Sequence, residues 1–285
     1  MITLESWLSL FQAGFIQRAF IISIIIALLS SVLSIFIVLK RVSLIGDGLA
    51  HTAFGGLALG YFINLGAIFP VLVSYNVPLW IAGVTVILGS IGITKAMRST
   101  KISGDAAVAV FLQLGLAGGI TLLSLSRGFG VNIESLLFGS ILIVNFDQII
   151  VAIIIAAITL SVIFLSFKEL VYVTFDETQA KASGIKTWFF DYLISVLAGL
   201  AVIIAIPIVG VLLISALLVL PALTSIQLTK SFRQTVILSP IVGLITVCLG
   251  LVFTVIFDVA PGGMIVLTGL AIFGIVLLAK KITEK

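Results

Sequence analysis

The sequence predicts an all-α, polytopic transmembrane helix bundle of eight or nine spans. Its 285 residues are 61% hydrophobic and only 9% charged, and the mean hydropathy is +1.41. A soluble domain carries about a quarter charged residues. The apolar stretches run on continuously, unlike the alternating segments of about ten residues expected of a membrane barrel. In hydrocarbon only helices or a closed barrel satisfy the backbone, so helices follow. Spans of about twenty residues each use most of the chain. Residues 1–285 therefore read as a single transmembrane domain, with no room for a soluble catalytic unit.

The elements follow in order. Residues 1–17 lack a basic region before an apolar core, so they do not read as a cleavable signal. Trp7, Phe11 and Phe15 among polar residues suggest a short interfacial helix there. Apolar runs then fall near 18–39, 46–65, 75–96, 105–126, 147–167, 188–206, 208–228, 233–257 and 261–280, nine candidates in all. The hydrophobic stretch 66–73 fits either a loop or a span end. Ile206-Pro207-Ile208 is too short for an ordinary connection, so it predicts a tight outer turn or a broken, re-entrant helix. Cys248, the one cysteine, lies in an apolar span and reads as a small core residue.

Orientation follows from the basic residues. With the N-terminus outside and the C-terminus in the cytoplasm, Lys40, Arg41, Lys95, Arg98, Lys101, Lys168, Lys181, Lys186, Lys230, Arg233, Lys280, Lys281 and Lys285 all face inward. Only Arg18 and Arg127 stay outside, thirteen against two, which decides the orientation. Topology thus accounts for the net charge of +4, and no nucleic-acid partner is needed to explain it. Gly56 and Gly60 keep small-xxx-small spacing, as do Gly115 and Gly119, which lets helix backbones approach closely.

Two polar segments stand out. Gly46-Asp47-Gly48-Leu49-Ala50-His51 sets a carboxylate and the only histidine four residues apart, on one helical face. Ionisable groups inside a span are costly and mark function by default. Asp and His suit Mn²⁺, Zn²⁺ or Fe²⁺, and the absence of thiolates disfavours a Cu(I)-type site. One chain supplies only two ligands; two copies facing each other would supply four. A hydrogen-bonded Asp–His pair joining helices and a proton relay fit the same residues.

The longest polar stretch, Phe167–Thr187, forms a cytoplasmic loop over 168–187 in this topology. Thr174 as N-cap with Glu177 three residues on predicts a capping box, and Gly184 a helix end. A two-turn helix results, either a solvated loop or a docking element. No Gly-x-x-x-x-Gly-Lys-Ser/Thr occurs, so the chain has no P-loop of its own.

At these residues the sequence resembles the permease subunits of bacterial zinc/manganese/iron ABC importers, the ABC-3 family. The resemblance runs through Lys40 to His51, Val209 to Ala222, Phe138-Gly139-Ser140, Asp176 to Gly184 and Asp258 to Gly262. It implies a type II importer-like bundle in the bacterial cytoplasmic membrane. It implies a homodimeric pore, two cytoplasmic ATPase subunits and an external metal-binding protein. It places Asp47 and His51 on the metal path, and Asp176, Glu177, Ala180, Lys181, Ser183 and Gly184 on a coupling helix. The metal is then transported substrate, with no permanent cofactor, and hydrolysis belongs to the partner chain. Gln113 stands where zinc permeases often show a further histidine, which leans toward manganese or iron. Pro207 and Pro221 are candidate hinges for alternating access. The rivals are a proton-coupled secondary transporter, an ABC permease for a chelate such as a siderophore, and a membrane scaffold.

Overall fold

The computed structural model describes residues 13–65, 77–99, 103–125, 133–140, 145–211 and 214–283, and every element among them is helical. In chain order these are α1 (Gly14–Leu39), α2 (Ile45–Leu65), α3 (Val77–Ser99), α4 (Gly104–Leu125) and the short α5 (Ile133–Phe138). Then come α6 (Phe146–Leu165), α7 (Phe167–Phe175), α8 (Glu177–Ala182), α9 (Thr187–Val209), α10 (Ile214–Leu217), α11 (Leu220–Leu228), α12 (Phe232–Phe257) and α13 (Pro261–Thr283).

Seven of these are long and apolar enough to cross a membrane: α1, α3, α4, α6, α9, α12 and α13. In α1 and α9, 67% of the most apolar stretch is buried, so these two form the centre. In α4 and α13 the figure is 28% and 22%, which puts them at the periphery. Their outward side chains, such as Val110, Leu114, Leu267, Ile275 and Leu278, are large and apolar, as a lipid-facing surface requires.

The eighth long helix, α2, is absent from that set, and Asp47, His51 and its glycines are the reason it is less apolar. It nevertheless runs the length of its neighbours. A Cβ on Gly56 would stand 1.8 Å from Thr85 Oγ1, and one on Gly60 would stand 2.5 Å from the Pro78 Cα. A Cβ on Gly89 would reach Thr52 Cγ2 at 2.5 Å, so α3 lies antiparallel along α2 at glycine-only distance. On the other flank α4 runs parallel: Gly48 faces Val108, and Gly119 faces the Phe54 ring. At the core, α12 crosses α1 with Ser239 Oγ donating to the Ser31 carbonyl at 2.8 Å, and Ser34 Oγ accepts from the Ala222 amide at 2.9 Å.

The region of Pro207 differs from expectation. There is no turn or break there; α9 continues through Pro207 and ends at Val209. Near a helix end a proline removes one hydrogen bond without forcing termination. The interruption comes at Gly210, whose φ of +80° only glycine adopts readily. Gly139 (φ +78°) interlocks with it: Ser140 N donates to the Pro207 carbonyl at 3.0 Å and Val211 N to the Leu136 carbonyl at 3.1 Å. A Cβ at Gly139 would lie 1.8 Å from the Ile208 oxygen. The candidate span 208–228 is therefore two short helices, α10 and α11, and Pro221 sits in the first turn of α11.

Of the expected interfacial helix, residues 1–12 lie outside the described residues, with Trp7 and Phe11, and so does the stretch 66–73. Residues 14–17, including Phe15, belong to α1.

Candidate functional site

The turn into α2 is built by backbone closure. Arg41 takes φ 59°, and its amide donates to the Val38 carbonyl at 3.0 Å while Val42 N reaches the Ile37 carbonyl at 3.1 Å. This double closure ends α1 and reverses the chain. Helix α2 then begins at Ile45 and carries Asp47 in its first turn. His51 follows one turn later on the same face.

Thr52, Gly56 and Gly60 point to α3, while Gly48 and Gly55 point to α4. His51, three residues after Gly48 and four before Gly55, borders the flank that meets α4, while Asp47, one turn earlier, lies farther round the helix from both contacts. Both are half-buried in the single chain. His51 Nδ1 is buried and has no hydrogen-bond partner. Among the described residues no group of three or more His, Cys, Asp or Glu side chains is arranged to hold a metal ion. One chain thus presents a carboxylate and an imidazole one helical turn apart, with the imidazole Nδ1 unsatisfied. Gln113 is exposed on α4.

The polar island forms α7 and α8. Helix α7 lies under α1 and α12 through rings: Phe167 meets Phe36 and Phe232, each with centroids 6.2 Å apart, and Phe175 meets Phe232 at 5.2 Å. The N-cap of α8 differs from expectation: it is Asp176, whose Oδ1 accepts from the Gln179 amide at 2.8 Å. Thr174 lies inside α7, and its hydroxyl donates to the Leu170 carbonyl at 2.6 Å. Thr174 loses the role because α7 continues to Phe175, so the extended residue between the two helices is Asp176.

At the other end of α8, Ser183 is the C-cap and Gly184 takes φ +83°. Gly184 N donates to the Lys181 carbonyl and Ile185 N to the Ala180 carbonyl, both at 3.0 Å, completing a Schellman closure. Ala180 is fully buried, so α8 is seated on the bundle through that methyl. Tyr172 Oη and Ser183 Oγ lie 3.0 Å apart and tie α8 back to α7.

A charge cluster missed by the sequence reading surrounds α8. Asp191, in the first turns of α9, pairs with Lys40 at the end of α1 and with Arg98 at the end of α3. Arg98 also stands 3.7 Å from Glu177, and Lys181 pairs with Glu177 at 2.7 Å. Thr187 Oγ1 donates to Glu177 at 3.2 Å. Lys40, Arg98, Glu177, Lys181 and Asp191 line a cavity of about 370 Å³, together with the buried Thr94 and Ser195. The Lys181 hydrogen bond holds the Glu177 carboxyl below the usual range against the opposing effect of burial; the Lys181 charge, Thr187 and Arg98 add to the lowering. The available signal for Asp191 was a lone acid at the head of an apolar span.

An all-helical bundle with seven helices long and apolar enough to cross a membrane among the described residues defines a multi-pass membrane protein, and its candidate site residues lie on α2 and at one bundle end. The chain belongs to the ABC 3 transport family, whose description matches residues 12–280. It is 30% identical to the manganese transport system membrane protein MntC of Listeria monocytogenes over 94% of this chain and 92% of that protein. It is 33% identical to the manganese import system permease protein ScaB of Streptococcus gordonii over 91% of this chain and 89% of that one. The fold matches PsaBC from Streptococcus pneumoniae, solved in complex with Fab, with a TM-score of 0.81 and 31% identity over 96% and 95% of the two chains.

Proposed function

We propose that this chain is the permease subunit of an ATP-driven importer of divalent transition-metal ions, with manganese the favoured cargo. The observation that carries the proposal is the two-ligand face of α2. Asp47 and His51 share one face, the imidazole Nδ1 has no partner, and the described residues of one chain supply no third ligand. Two copies meeting along this face supply two carboxylates and two imidazoles, a donor set suited to Mn²⁺. The manganese assignments of MntC and ScaB support the choice of metal and disfavour a chelate substrate.

In this reading α8 docks on a separate ATPase, one for each copy, and a binding protein delivers the ion from outside a bacterial cytoplasmic membrane. The chain crosses nine times, counting α2 and the broken α10–α11 segment, with its N-terminus outside. The placement of Lys40, Arg98, Lys181 and Lys280 at one bundle end supports that orientation. ATP binding and hydrolysis then move α8, and the two copies rock about the Asp47–His51 seam.

The test is uptake by the reconstituted permease–ATPase complex, comparing Mn²⁺, Zn²⁺ and Fe²⁺ with ATP inside the vesicles. Uptake of Mn²⁺ that needs ATP supports the proposal. ATP-independent uptake driven by a proton gradient would establish the secondary-transporter rival instead.

A further inference from the structure

We infer that Asp191 and Arg98 form a clamp that passes movement of α8 to the helix carrying Asp47 and His51. The inference deepens the importer reading and rests on it.

The clamp joins four elements at one point. Asp191 accepts from Lys40, the last residue before the turn into α2, and from Arg98, in the last turn of α3. Arg98 in turn faces Glu177 on α8 at 3.7 Å. A displacement of α8 therefore reaches α3 through Arg98, which among the described residues is the basic side chain that reaches both Glu177 and Asp191, alongside the Thr187 hydrogen bond that ties Glu177 to α9.

From Arg98 the path to α2 is stiff. Helix α3 meets α2 along its length at contacts where no Cβ fits, at Gly89 against Thr52, Gly56 against Thr85 and Gly60 against Pro78. Close-packed interfaces of this kind shift as units. The second path is shorter still: Lys40 precedes the Arg41–Val42 closure that aims α2. Both routes from Asp191 thus end on α2, one at its start and one along its flank.

The cluster also has room to rearrange. The cavity of about 370 Å³ is bordered by Lys40, Arg98, Glu177, Lys181 and Asp191, so the cations can exchange partners without crossing packed side chains. Partly buried ion pairs add little net stability, yet deleting one partner leaves the others uncompensated. Such a set serves register better than it serves cohesion. In the same cavity Thr94 Oγ1 donates to Ser195 Oγ at 2.7 Å, which fixes α3 to α9 one turn beyond the clamp.

The experiment measures manganese ions moved per ATP hydrolysed by the full permease–ATPase complex in proteoliposomes. Asp191→Asn keeps shape and removes charge. The expected result is continued hydrolysis with roughly a tenfold or greater fall in ions moved per ATP, the scale of a lost charge-assisted contact. Asp191→Glu keeps the carboxylate and recovers the ratio. Arg98→Gln breaks the clamp from its other side and gives the same fall, so the test stands if Asp191→Asn fails to assemble. An unchanged ratio in the assembled variants, even with uptake and hydrolysis falling together, overturns the clamp. A wild-type complex that hydrolyses ATP and moves no manganese would sink the importer reading itself, and that control tells the two failures apart.

Discussion

The backbone of α4 at Gly115 rests on the carbonyl of His51, so closely that a Cβ at position 115 would stand 2.2 Å from that oxygen. Helix α2 is thus pinned by α4 at the turn that carries its imidazole. Gly115→Ala should force the two backbones apart, a strain of about 1–3 kcal/mol by the usual cost of overpacking. Melting of the purified protein should fall accordingly, and uptake with it. Gly118→Ala is the control, because nothing lies within 4 Å of a Cβ there.

Asp47→Asn and His51→Ala should each abolish manganese uptake while leaving membrane insertion and assembly intact. Each side chain is half-buried, so its loss opens no large core cavity. Comparing uptake with the amount of assembled complex in the same membranes checks this, and normal uptake in both variants would remove the ligand role.

Gly184→Ala should loosen α8. Its φ of +83° is costly for alanine, about 1 kcal/mol, and no neighbouring atom lies within 4 Å to complicate the comparison. Amide exchange in residues 177–182 should rise, and co-purification of the ATPase should weaken. Unchanged exchange would mean the Schellman closure contributes nothing to seating the helix.

The contacts of Glu177 should make α8 acid-sensitive in a defined direction. Its carboxyl is held below the ordinary range, first by the Lys181 hydrogen bond. A lowered folded-state value contributes stability above the unfolded value and loses it as pH falls through the folded one. Exchange of the α8 amides, corrected for intrinsic rate, should stay flat from neutral pH to about 5 and rise below about 4. Glu177→Gln should remove the acid step and raise exchange already at neutral pH.

Most of the bundle was legible because hydrocarbon leaves the backbone so few options: apolar runs near 105–126, 233–257 and 261–280 match α4, α12 and α13 within a few residues. The Asp47–His51 face was legible from spacing alone. Pro207 misled, since a proline two residues from a helix end costs little, while the true interruption needed the positive φ at Gly210 and its partner Gly139, a contact between distant segments. Thr174 misled for a similar reason: Thr174 and Asp176 are both capping types, and only the end of α7 decides between them. The pairing of Asp191 was not legible because its partners, Lys40 and Arg98, lie 151 and 93 residues away in sequence.

The most direct measurement is an anomalous difference map at the manganese edge, from crystals of the assembled complex soaked in Mn²⁺. The account predicts one peak on the seam between two copies, bordered by Asp47 and His51 from each. A peak elsewhere in the membrane, away from those two side chains, would contradict it.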